Sequence, residues 1–164
     1  MEKKTMAGLI VVAAIVAVLI FAGFTAYTED FSTAKLTHEN VTNAVEGSLG
    51  KEVDVSIYGL KGGGNCVRIT RPWKGYNTEE MTKSFARDSV DALEVLFSNP
   101  QVDKVVLAQD SEFPGINIQV TFTRKTADRI DWDNLAQSVS TDYTKLFDAA
   151  DSHHIGYEPS YLRL

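Results

Sequence analysis

The run from Met6 to Phe24, MAGLIVVAAIVAVLIFAGF, carries no charge and no strongly polar side chain, and it restricts what this chain can become more than any other feature. At about 1.5 Å of rise per residue, a helix of that length spans roughly 30 Å, the hydrocarbon thickness of a bilayer. A cleaved signal peptide is the competing reading, and it needs small residues at positions −1 and −3 of the cut. Cutting after Ala26 places Phe24 at −3, and cutting after Ala22 places Ile20 there. Only a cut after Thr25, with Gly23 at −3, is tolerable. The run also exceeds the roughly 7–15 residues of a signal-peptide core. Residues 6–27 are therefore expected to remain as a transmembrane signal anchor.

Charge sets the direction of insertion. Lys3 and Lys4 precede the run, whereas AYTEDFSTAKLTHE after it carries Lys35 against Glu29, Asp30 and Glu39. Basic flanks resist translocation, so residues 1–5 are expected in the cytoplasm and the rest of the chain outside it, at the cell membrane. Beyond the anchor stand 14 basic and 21 acidic side chains, a net of −7, which argues against nucleic acid as a partner and against adhesion to anionic lipid.

Beyond a linker at 28–36, residues 37–152 read as one α+β domain. Thr37 caps a helix whose apolar face is Val41, Ala44, Val45 and Leu49, and Gly50 stops it. Val53, Val55 and Ile57 alternate with Asp54, Ser56 and Tyr58, the period of a half-buried strand. The turn KGGGN leads to a second strand, Cys66–Thr70, which Pro72 is expected to end. Asn77, with Glu80 three residues on, opens a long helix with Met81, Phe85, Leu93 and Leu96 on its core stripe, and Asn99-Pro100 closes it. Two more strands, 102–109 and 115–124, form a hairpin through DSEFPG. A last helix runs from Asp131 to Ala150 on Trp132, Leu135, Val139, Tyr143, Leu146 and Phe147. The order α-β-β-α-β-β-α predicts a four-stranded, largely antiparallel sheet with its helices packed on one face. Residues 153–164 are expected to pack along the domain as an extended tail.

Few residue patterns here carry chemistry. Gly62-Gly63-Gly64 joins strand to strand, whereas a phosphate loop joins a strand to a helix N-terminus, so it reads as a hairpin turn. Lys61, Arg68, Arg71, Trp73, Lys74 and Tyr76 are the one basic and aromatic concentration in an acidic domain. Guanidinium forks suit phosphate or carboxylate and aromatic faces suit sugars, so these six are the candidate ligand-binding residues. His153 and His154, with Asp151 and Glu158 nearby, are the candidate metal ligands, although adjacent side chains in an extended segment diverge. Asn40-Val41-Thr42 fits the N-glycosylation pattern, and Cys66 reads as a buried free thiol. No G-x-S-x-G turn or other nucleophile motif occurs, and no cofactor is implied. The sequence points to a membrane-anchored binding or assembly module with an envelope or membrane protein, or a second copy, as partner. The alternatives are an anionic-ligand or glycan-binding domain using Arg68, Arg71, Trp73 and Lys74, and less readily an envelope hydrolase.

Overall fold

A computed structural model describes residues 30–75, 77–111 and 116–157 of the chain. The expected anchor at 6–27, Tyr76, the turn at 112–115 and the end of the chain after Tyr157 lie outside the described residues. Among the described residues no helix is long and apolar enough to cross a membrane.

Helix α1, His38–Leu49, begins where the Thr37 hydroxyl accepts a hydrogen bond from the Asn40 amide at 3.2 Å. It ends at Gly50, whose φ of 81° suits a residue without a Cβ. Strands β1, Asp54–Gly59, and β2, Asn65–Trp73, follow as an antiparallel hairpin. At the turn, Gly64 adopts φ 85° and lies so close to Asp103 that a Cβ would run into its carboxylate, which accepts from the Asn65 amide at 2.9 Å. Helix α2, Thr78–Ser98, starts with the Asn77 side chain accepting from the amides of Glu79 and Glu80. Strands β3, Val102–Ser111, and β4, Ile116–Thr123, come next, then α3, Arg124–Ala127, α4, Trp132–Thr141, α5, Thr144–Ala149, and β5, Ser152–Tyr157.

The sheet has five strands in the order β1-β2-β3-β4-β5. Neighbours are antiparallel except β2 and β3, which are parallel and joined through α2. Several details depart from the sequence reading. The strand count is five, because part of the expected tail pairs with β4, His154 opposite Gln119 and Ile155 opposite Ile118. Pro72 lies inside β2 rather than ending it; it falls past Thr70, the last residue with a β1 partner, where a strand can spare an N–H. The single helix expected over 131–150 is two, because the Asp142 carboxylate accepts from both the amide and the hydroxyl of Thr144 and so starts a new helix.

Alternation gives the sheet two unlike faces. Val55, Val67, Ile69, Val105, Leu107, Ile118, Val120 and Phe122 share one face and one continuous core with the buried sides of the helices, among them Val41, Phe85, Leu93, Leu96, Val139 and Leu146. Cys66, Val106 and Ala108 on the opposite face are buried but belong to no part of that core. Phe31 and Ala34, in the stretch expected as linker, are core residues. They are fastened by Asn99, fully buried at the end of α2, whose amide donates to the carbonyls of Phe31 at 2.7 Å and Ala34 at 2.9 Å. Arg124 secures the same corner, donating to the carbonyls of Phe97, Asn99 and Val102 with its guanidinium over the Phe97 ring. A cation there also opposes the negative end of the α2 dipole.

Two predictions follow from these fastenings. Asn99→Asp removes two donors and turns a buried carboxylate toward two carbonyl oxygens, so urea denaturation should show a loss of about 3 kcal/mol, comparable to a buried leucine-to-alanine change. Asp151 accepts from the Thr126 hydroxyl and the Thr123 amide, both at 2.6 Å, at the junction of β4, α3 and β5. Burial alone would raise its pKa, but these hydrogen bonds outweigh it and hold the carboxyl below its usual range. A lowered folded pKa contributes stability that is complete above an unfolded-state value of about 4 and vanishes as pH falls through the lower folded value. Asp151→Asn should therefore lower the thermal midpoint at pH 6, and the deficit should shrink steadily as pH falls below about 4.

Candidate functional site

The six basic and aromatic residues singled out in the sequence do not form one surface. Side chains alternate along β2, so Arg71 and Trp73 share the helix-covered face with Val67 and Ile69, and Arg68 lies on the other face with Cys66 and Thr70. Lys61 is exposed in the β1–β2 turn, Lys74 pairs with Glu52 at 2.8 Å, and Tyr76 lies outside the described residues. Proximity in sequence overstated their proximity in space because a strand sends successive residues to opposite sides.

Arg71 is the structural centre of its face. Its side chain is 13% exposed; Nε donates to Gln109 Oε1 at 2.6 Å and Nη1 to Asp88 Oδ2 at 2.7 Å. Gln109, fully buried on β3 opposite Arg71, passes its own amide to the Met81 carbonyl in the first turn of α2. Ser84 donates to the same Asp88 oxygen at 2.9 Å. One guanidinium thus ties β2, β3 and α2 together through hydrogen bonds whose charged members are matched, the condition under which a buried ion is tolerated.

Above this network lies an open cleft of about 540 Å³ between the end of β2, the N-terminal half of α2 and the end of α4. Trp73 forms one side, Lys83, Ser84 and Arg87 come from α2, and Ser140, Thr141 and Tyr143 face them. Gly75 lies against the pyrrole edge of Trp73 so closely that a Cβ would collide with it. The Trp73 Nε1–H is out of solvent and has no acceptor among the described residues. A second depression, also about 540 Å³, runs along Tyr143, Phe147, His153 and Ile155.

The opposite face of the sheet is a different surface. Tyr58 is 46% exposed and its phenol is raised above its ordinary pKa, first by a hydrogen bond with the Cys66 thiol and then by burial. Cys66 itself is buried with a free thiol. Arg68 reaches from β2 toward β4 and donates to Gln119 Oε1 at 3.2 Å, passing over the strand that carries Val106 and Ala108.

The two histidines separate: His153 turns to the core face and meets the Phe147 ring edge-on at 5.6 Å, while His154 lies on the other face beside Gly156. Among the described residues no group of three His, Cys, Asp or Glu side chains is placed to hold a metal ion, and Glu158 lies outside them. Asn40 sits in the first turn of α1 with its side-chain amide donating to the Lys35 carbonyl at 2.9 Å. The sequence reading missed the α2 and α4 walls of the cleft, since Lys83, Ser84, Arg87, Ser140 and Thr141 look like ordinary solvent-facing helix positions until the two helices are brought together. No protein-family model, curated protein or solved structure matches this chain.

The network makes a sharp prediction. Gln109→Leu keeps the volume but leaves the Arg71 Nε without its partner in a buried site, so urea denaturation should show a loss of about 2 kcal/mol, with Arg71→Met in the same background recovering part of it.

Proposed function

We propose that this chain is a membrane-anchored recognition module: residues 6–27 hold it in the bilayer, the α+β domain stands outside the cytoplasm, and it works by assembling with an envelope or membrane protein rather than by catalysis. The observation that carries the reading is the second face of the sheet. Cys66, Val106 and Ala108 form a buried apolar strip there that shares nothing with the core, and Tyr58 and Arg68 stand over it. Tyrosine and arginine are the residue types most enriched where binding energy concentrates, and a flat sheet face presents them on a rigid support. The apolar run beyond the N-terminal lysines supports the location, and the net charge of −7 after it supports a protein rather than a lipid or nucleic-acid contact.

The reading is tested by extracting the full-length protein in mild detergent, sizing it by light scattering and identifying companions by mass spectrometry. A stoichiometric membrane or envelope chain that disappears when Ser56→Arg and Tyr58→Arg are introduced together is the expected result. A particle of this chain alone, or a companion indifferent to both substitutions, contradicts the assembly role.

A further inference from the structure

We propose that the cleft beside Trp73 binds an acidic saccharide, a hydroxyl-rich ring bearing one anionic group. This site lies on the helix-covered side of the sheet and does not depend on the assembly role of the other face.

The chemistry of the walls selects such a ligand. Ser84 donates to Asp88, Ser140 to the Gln137 carbonyl at 2.7 Å, and Thr141 to the Ser138 carbonyl at 2.9 Å. Ser84 Oγ also accepts from Arg71 Nη2 at 3.5 Å, but the Ser140 and Thr141 oxygens, with their protons committed to carbonyls, keep lone pairs for a ligand, as does the Glu80 carboxylate on the same wall. Three acceptors call for a ligand rich in donors, which sugar hydroxyls are.

The cations answer the charge. Lys83 is held by Glu79 at 2.6 Å, but Arg87 makes no hydrogen bond or ion pair with any described residue. A planar, unengaged guanidinium at the rim is suited to a carboxylate or phosphate, which it can grip through two parallel N–H bonds. In a chain that carries −7 beyond its apolar run, an anion has little reason to approach except at such a point.

The rings supply the remaining contact. Trp73 and Tyr143 border the cleft; the Lys83 ammonium lies 6.0 Å from the Tyr143 ring centroid, which leaves the indole face of Trp73 to accommodate the apolar face of a pyranose. Trp73 is half-buried, packed on one side against the core and with Gly75 against its edge, and its Nε1–H meets no acceptor among the described residues. The volume of about 540 Å³ lies within the range that small-ligand sites occupy.

The chain has two tryptophans, and Trp132 stacks on Phe97 and lies tilted against Phe122 rather than lining the cleft, so a ligand-dependent change in indole emission reports on Trp73. The full-length protein, in an uncharged detergent without a sugar headgroup, is titrated with glucuronate, glucose 6-phosphate, glucose and triglutamate. Saturable emission changes are expected with glucuronate or glucose 6-phosphate, at least tenfold weaker response to glucose, and none to triglutamate. Whichever acid binds tighter identifies the anionic group. Arg87→Ala, an exposed position that leaves the fold intact, should weaken the acids at least tenfold without changing the glucose response, and Trp73→Phe should abolish the signal. No saturable response to either acid, glucose binding as tightly as the acids, triglutamate binding as tightly as the sugars, or acid binding unaltered by Arg87→Ala would overturn the proposal.

Discussion

The parallel pairing of β2 with β3 is the constraint on which the rest of the domain depends. Parallel neighbours need a connection that returns the chain to the end where it began, and the 21 residues of α2, roughly 30 Å long, make that return across one face of the sheet. Once α2 lies there, the two hairpins are placed on either side of the pair, α1 and α4 flank it, and the core fills between them. The polar network of Arg71, Gln109, Asp88 and Ser84 sits where β2 and β3 run on past the last β1 partner. Charge is buried at that end because the helix crosses it, and the cleft opens there because the α2 N-terminal half extends beyond the sheet's apolar rows.

The same constraint makes the two faces unequal. Among the described residues the long helices gather on one side, and the opposite side carries a narrow strip of small apolar residues under Tyr58 and Arg68. The domain presents two surfaces: a sheet face broad enough for another protein, and a cleft small enough for a single ring. They lie on opposite sides of β2, where Arg68 serves one and Trp73 the other.

The α+β class, the strand patterns and the helix caps were legible because each rests on local chemistry: Thr37, Asn77 and Asp131 accept their cap hydrogen bonds, and Ile118, Val120 and Phe122 alternate inward. What could not be read was set by distant partners. Pro72 continues a strand because β1 stops before it, and Ser152–Tyr157 becomes a strand because β4 offers an edge, although its composition has no strand period. Asp142 breaks the last helix through a contact with Thr144 that periodicity does not register. The candidate ligand surface divided for the same reason: Lys61 to Tyr76 is a cluster in sequence, but pleating sends Arg68 and Arg71 to opposite sides, and the partners that complete the Trp73 side come from two helices remote in sequence.

The central claim is that the sheet face carrying Tyr58 and Arg68 meets another protein at the membrane. Tyr58, nearly half exposed in the isolated chain, is the direct reporter. Tyrosine-selective labelling should be run on the full-length protein in its native membrane and again after purification in detergent, with peptide mass spectrometry reading the labelled fraction of the Tyr58 peptide. The account predicts that Tyr58 is protected in the membrane and labelled after purification. Equal labelling of Tyr58 in both states would contradict it.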